Sequence, residues 1–291
     1  METFFDKAAA CARLNLRVLT LALRDKWLSS RTVAESYDCV APFYDETWLP
    51  HLRGVTDALL SRVPEPGAGA ILDLGCGTGY AAQMLCSACP GREIIAVDVS
   101  AGMLARARER LAAGKVSFVQ ADMLDFLSAR PSASASLIVS AWAMGYSNPG
   151  QLIRQAARVL APGGALAFVV NTADTLAPVF KAYRKCMARF PEKVRLAAWP
   201  RFPESWATLR AIMLRSGFEI EWYEDGFKEV PRPSGQAGIL SWLLKTGVLA
   251  GFDAMLPLRE GGPEADYFER LLKDDRDPIR HHYVAAAAKR A

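Results

Sequence analysis

Between residues 68 and 172 short apolar runs alternate with longer amphipathic stretches. The short runs fall at 70–74, 93–97, 116–119, 136–140 and 165–171. They are nearly continuous in apolar character, as strands covered on both faces are. The stretches between them, at about 79–88, 101–112, 122–128 and 149–160, read as helices. Strands alternating with helices predict an α/β fold with a parallel sheet and helices on both faces. Ligands in such sheets bind beyond the carboxyl ends of the strands.

Outside this block the pattern changes. Residues 3–29 read as a helix, apolar over much of its surface, with Arg13, Arg17 and Arg24 near one face. Residues 204–216 read as a helix ending at Gly217. Residues 218–223 read as a sixth strand and 282–288 as a last one. About fifty residues separate these two strands. They include helical stretches at 238–247 and near 265–273, and with residues 175–200 they predict a helical lid. The expected organisation is an N-terminal extension and covering segment over 1–48, a nucleotide-binding core over 49–172, and lid helices with the final strands over 173–291.

Candidate chemistry sits at the ends of the first two strands. Ala70-Ile71-Leu72-Asp73-Leu74 runs into Gly75-Cys76-Gly77-Thr78-Gly79, and the run that ends at Val97 is followed by Asp98. Glycines let the backbone turn tightly and approach a ligand. An acid at the end of the second strand suits a ribose diol, because a carboxylate accepts two hydroxyl hydrogen bonds. A dinucleotide site usually reads Gly-x-Gly-x-x-Gly, and here Tyr80 holds the last glycine's place. Asp73, two residues before the loop, would repel a pyrophosphate. A ligand with a sulfonium and an ammonium and no phosphate, S-adenosylmethionine (SAM), would be attracted by it.

These residues resemble the class I SAM-dependent methyltransferases. Asp73 to Gly79 looks like the first motif of that family. Asp98-Val99-Ser100 with Met103 looks like the second, Gln120-Ala121-Asp122-Met123 like the third, and Leu160-Ala161-Pro162-Gly163-Gly164 like the turn before the fifth strand. The resemblance covers about residues 35–172. It implies a Rossmann-like, mostly parallel sheet of seven strands, the last inserted antiparallel between the fifth and sixth. It implies SAM as cofactor, with S-adenosylhomocysteine (SAH) as product. Asp73, Gly75, Gly77 and Gly79 would hold the methionine end, Asp98 the ribose and Asp122 the adenine, with Cys76, Val99, Met103, Met123 and Ala141 as further cofactor-binding residues. The segment Ser36 to Asp45, with its repeated Tyr-Asp pair, resembles the entry segment of small-molecule methyltransferases, which makes Tyr37 and Tyr44 catalytic candidates. Trp242-Leu243-Leu244-Lys245-Thr246-Gly247 is similar, more weakly, to the trans-aconitate and malonyl-carrier carboxyl methyltransferases.

Composition narrows the partners. The 291 residues carry a net charge of only +4, and no Lys/Arg block or Cys/His finger spacing occurs, so nucleic acid is not expected. No Asn/Asp-Pro-Pro-aromatic motif follows the fourth strand, which argues against methylation of nucleic-acid bases. Six cysteines are scattered; Cys86 and Cys89 form a C-x-x-C with no second pair, and no metal is expected. No secretory signal or transmembrane-length run is read, so a cytoplasmic protein is expected. The helix at 3–29 would pack over the site or a second subunit, or lie at a membrane surface.

Methyl transfer from a sulfonium mainly requires alignment and exclusion of water. A carboxylate acceptor needs no general base, whereas a phenol, enol or carbon acid does. The segment after the fourth strand offers Trp142 and Tyr146 toward an acceptor, and no histidine. His281 and His282 begin the last strand, where an antiparallel strand is expected to start away from the cofactor end. Trp199, Trp206, Trp242 and Phe252 give the lid an apolar character that favours a hydrophobic acceptor. The expected function is methylation of a small hydrophobic or carboxylate-bearing metabolite, with Tyr37, Tyr44 and Tyr146 as catalytic candidates and Trp142, Trp199 and Trp242 against the substrate. Methylation of a protein or carrier-bound acyl group, a non-catalytic SAM-binding role and a dehydrogenase are the alternatives.

Overall fold

Seven strands form one sheet in the computed structural model, which describes residues 4–112, 115–198, 202–232 and 238–291. In chain order they are β1 (Ala70–Leu74), β2 (Ile94–Asp98), β3 (Val116–Gln120), β4 (Ala135–Ala141), β5 (Leu160–Asn171), β6 (Phe218–Glu229) and β7 (Arg280–Arg290). Their spatial order is β3-β2-β1-β4-β5-β7-β6. β1 to β5 run parallel, and β7 pairs antiparallel with β5 from Asn171↔Tyr283 to Ala165↔Lys289. The chain leaves β1 toward β2 on one side and returns to β4 on the other. This reversal opens a crevice at the carboxyl ends of β1 and β4.

Every residue of β1 and β2 is buried, which explains their unbroken apolar character. β6, at the sheet edge, alternates half-buried and exposed positions over most of its length. It runs six residues past the expected end at Tyr223, because Glu224 to Glu229 keep the same two-residue alternation. One face of the sheet packs Leu72, Ile138, Phe168 and Val284 against Leu152, Ile153, Leu209 and Met213 of the helices Pro149–Val159 and Trp206–Arg215. The other packs Ile71, Val139 and Val169 against Leu59, Leu85 and Leu104, from the helices Leu49–Leu60, Tyr80–Ala88 and Ala101–Arg110.

The chain divides into two compact units. One comprises residues 41–175, 200–228 and 281–291 and contains the sheet; the other comprises 1–40, 176–199 and 229–280 and is helical. In the helical unit the first helix, Phe4–Leu23, stops short of the expected residue 29. Asp25 turns left-handed at φ +54°, and the Lys26 N–H closes back on Leu21 O at 2.9 Å. Leu16, Leu19 and Leu23 of this helix are exposed. The expected helix at 238–247 is broken into Ile239–Leu243 and a short turn at Gly247–Leu249. The helical unit also buries a polar knot. Ser36 Oγ donates to Asp253 Oδ1 at 2.8 Å, Asp253 pairs with Arg259, and the Tyr183 hydroxyl donates to Phe252 O at 2.6 Å. No helix among the described residues is long and apolar enough to cross a membrane.

Candidate active site

The glycine loop leaves β1 and enters the helix Tyr80–Ala88. The Gly75 and Cys76 N–H groups both donate to Val97 O, at 2.8 and 3.0 Å, and so fasten the turn to β2. Gly75, Gly77 and Gly79 have φ of +69°, +54° and +82°. A β-carbon at Gly75 would lie 2.1 Å from Ala143 Cβ, so this turn admits no side chain there. At Gly77 there is open space, and the backbone angle alone calls for glycine.

Three acids stand around this loop. Asp73 is buried, and neither carboxylate oxygen has a hydrogen-bond partner. Burial pushes its pKa up to about 7; the Ala82 N–H, outside hydrogen-bonding geometry, opposes the rise, and the Asp98 charge adds to it. Asp98 Oδ2 accepts the Gly77 N–H at 2.8 Å and its Oδ1 accepts the Ser100 N–H at 2.9 Å. Asp122 caps the helix Met123–Ala129, with Oδ1 accepting the Leu124 N–H at 2.8 Å. Ser100, next to Val99, caps the helix Ala101–Arg110 by accepting the Met103 N–H, and Met103 is fully buried. Met123 lies beside Gly75, with its Sδ 3.4 Å from where a β-carbon would stand.

A cleft at the ends of β1 and β4 is lined by Asp73, Gly75, Cys76, Ala141, Trp142 and Tyr44, among others. Burial holds the Cys76 thiol well above its ordinary pKa and hence neutral. Burial also raises the Tyr44 hydroxyl, helped by nearby Tyr146, Asp98 and Asp45. Tyr44 is thus a neutral phenol near Tyr146 and Asp98. Asp45, adjacent to Tyr44, accepts the Thr78 hydroxyl at 2.6 Å and pairs with Arg110 at 2.6 Å. Nothing in the sequence pattern identified this clasp on the glycine loop; the repeated Tyr-Asp pair was its only trace. Tyr37 and Trp242 belong to the helical unit, and Trp199 lies outside the described residues.

Trp142 adopts a left-handed φ of +67°, uncommon for a bulky side chain. Its N–H donates to Val169 O at 2.8 Å and its indole N–H to Thr56 Oγ1 at 3.2 Å. The ring stands 5.4 Å from that of His281, and Trp48 stands 5.4 Å from His281 on another side. This corrects the expectation for the last strand. β7 runs antiparallel to β5, so it starts where β5 ends, and Tyr283 pairs with Asn171. His281 therefore lies at the carboxyl edge of the sheet, beside a cleft-lining residue. His282 points the other way, as alternation along a strand requires. It stacks on Phe227 and bridges Asp174 at 2.6 Å and Asp225 at 2.7 Å.

The donor set fits SAM. A buried carboxyl with two unpartnered oxygens needs a cation or several N–H donors, and an ammonium with a neighbouring sulfonium supplies them. A carboxylate such as Asp98 can accept several hydrogen bonds at once, which suits ribose hydroxyls.

Known proteins give the same picture. Residues 71–164 match the family model described as "Methyltransferase domain". Trans-aconitate 2-methyltransferase of Methylobacterium nodulans is 32% identical over 201 residues, covering 68% of this chain and 75% of that protein. Malonyl-(acyl-carrier protein) O-methyltransferase of Enterobacter lignolyticus is 35% identical over 160 residues, covering 54% and 60%. The solved structure of the cyclase SpnF superposes with a TM-score of 0.54 at 20% identity, over 90% of this chain and 96% of that one, and shows the shared fold. With the loop, the acids and the sheet order in place, the chain belongs to the class I SAM-dependent methyltransferases.

Proposed function

We propose that this enzyme transfers a methyl group from SAM to a small, apolar or carboxylate-bearing metabolite. The observation that carries the reading is the Asp73 carboxyl, buried without a partner beside a cleft walled by Tyr44 and Trp142. When bound, SAM supplies an electrophilic methyl carbon on a sulfonium leaving group. Asp73 holds the cationic methionine end, with Gly75, Cys76, Gly77 and Gly79 shaping the turn around it. Asp98, with Val99 and Met103, takes the ribose side. Asp122 and Met123 take the adenine, and Ala141 lines the pocket. The Tyr44 and Tyr146 hydroxyls orient the reacting groups by hydrogen bonding, and the Trp142 ring walls the acceptor side and excludes water. Tyr37, from the sequence resemblance, and Trp199 and Trp242, from the apolar character of the lid, are the sequence's further candidates toward the acceptor.

The related proteins named for trans-aconitate and for malonyl-carrier methylation support a low-molecular-weight acyl or acid acceptor. The second of them also favours a carrier-bound acyl group as the alternative acceptor. The test is incubation of the protein with methyl-labelled SAM and extract of its source organism, with Asp98→Ala as control. Label in a small organic-soluble product supports the proposal. Label confined to the protein fraction supports the carrier-bound alternative, and no Asp98-dependent label contradicts both.

A further inference from the structure

His281 is buried and its Nε2 has no hydrogen-bond partner. The state of that nitrogen follows from the other side of the ring. The Thr175 hydroxyl accepts the His282 backbone N–H at 3.2 Å and lies 3.3 Å from both Asn171 Oδ1 and His281 Nδ1. Asn171 Oδ1 lies nearer to His281 Nδ1, at 2.9 Å, and this shorter contact is the one that assigns the ring hydrogen. A carbonyl oxygen only accepts, so Nδ1 carries the ring hydrogen and Nε2 of the neutral imidazole carries a lone pair. The ring is neutral because burial, with nearby His51 adding to it, holds its pKa at about 3. The groups around it are Asn171 at the end of β5, Thr175 beyond it, His51 and Trp48 near the start of the helix Leu49–Leu60, and Trp142 after β4.

His51 repeats the arrangement from the other side. Its ring stacks on Trp48 at 5.2 Å, and its Nε2 is also buried without a partner. Two orphaned imidazole nitrogens thus flank one indole, next to the tryptophan that lines the cofactor cleft. A lone pair at His281 Nε2 calls for a donor. A carboxylate has none to give, whereas a hydroxyl donates one hydrogen and can still accept another.

We propose that His281 is the proton acceptor for a hydroxyl-bearing acceptor molecule, an aromatic or enolic O–H, with Asn171 and Thr175 as positioning residues. The inference rests on the methyltransferase reading above and takes the apolar rather than the carboxylate branch of its substrate class, with a hydroxyl as the reacting group. The acceptor oxygen forms its bond to the methyl carbon as the carbon–sulfur bond of SAM breaks, the electron pair staying on sulfur. The hydroxyl proton passes to His281 Nε2 and then to solvent. Forming the new bond makes that proton strongly acidic, so a weakly basic imidazole suffices.

The test is nitrogen-15 NMR of histidine-labelled full-length protein loaded with SAH, with phenol and benzoate as probes. His281 is expected to show an unprotonated Nε2 and a protonated Nδ1 between pH 6 and pH 8. Phenol is expected to shift the Nε2 resonance, and benzoate to leave it unchanged. His281→Phe should bind phenol about tenfold more weakly while keeping SAH affinity within about twofold, and His281→Gln, whose amide oxygen can accept, should recover part of the loss. A protonated Nε2 overturns the proposal, as does benzoate binding at His281 as well as phenol or a water as the sole partner of Nε2. In each of those cases SAH binding by the native protein leaves the methyltransferase reading standing. Failure of the native protein to bind SAH overturns both.

Discussion

Asp98 Oδ2 accepts the Gly77 N–H at 2.8 Å, joining the acid at the end of β2 to the middle of the glycine loop that follows β1. One carboxylate therefore fixes the middle of the loop, and it is the residue proposed to meet the ribose. Asp98→Ala should weaken SAM binding by about 1–3 kcal/mol. It should also speed amide hydrogen exchange at Gly77, which a loss of ribose contacts alone would not do. Calorimetry and exchange on the same variant measure the two effects, and unchanged exchange would separate the acid from the loop.

The glycines of the loop are not equivalent. Gly75→Ala places a β-carbon 2.1 Å from Ala143 Cβ in a left-handed backbone, whereas Gly77→Ala meets open space and only the strained angle. Gly77→Ala should cost about 1 kcal/mol of stability and Gly75→Ala several times more, with loss of SAM binding. Denaturant unfolding of both variants measures the difference, and equal costs would contradict the close approach to Ala143.

Asp45 clasps the loop through Thr78 and Arg110. Asp45→Ala should cost about 1 kcal/mol of stability and weaken SAM binding more than Arg110→Ala does. The reason is that only the aspartate change frees the Thr78 hydroxyl beside the cofactor turn. Paired binding measurements on the two variants decide it, the opposite order being the contrary result.

Acid should destabilise the protein through its buried histidines. Burial lowers His281 to about 3, and burial with Lys228 lowers His51 to about 4, both below the ordinary 6.5. The unfolded chain then binds protons that the folded chain refuses, so this stability is present above pH 6.5 and is lost as pH falls toward pH 4 and pH 3. Asp73 acts in the opposite sense, since its raised pKa lets the folded chain keep a proton up to about pH 7. Thermal unfolding of native protein and His281→Phe from pH 7 to pH 5 should show a flatter acid limb in the variant. Parallel curves would remove His281 from the acid response.

The sheet was legible because its strands are short, apolar and separated by helices of ordinary period, and each motif acid falls at or just beyond a strand end. The turn after β1 was legible because only glycine satisfies its backbone angles. What the pattern hid was contact between distant segments. Asp45 looked like half of a repeated dipeptide until Thr78 met it across 33 residues. His281 was placed at the wrong end because an antiparallel strand begins at the edge where its parallel neighbours finish. The break of the helix at 238–247 was hidden for another reason. Its apolar spacing suits a helix, while the Thr246 side chain caps a separate turn by accepting the Val248 N–H.

The central claim is that the unpartnered Asp73 carboxyl receives the cationic end of SAM. The most direct measurement is calorimetric titration of SAM at pH 6 and pH 8 in buffers of different ionisation enthalpy, on native protein and Asp73→Asn. With Asp73 near pKa 7 when the site is empty and held ionised by the ligand, binding should release about 0.9 proton at pH 6, and that release should vanish at pH 8, where Asp73 is already ionised. Asp73→Asn should show no such release and little binding. Buffer-independent heats at pH 6, or an Asp73→Asn variant that binds SAM as tightly as native protein, would contradict the account.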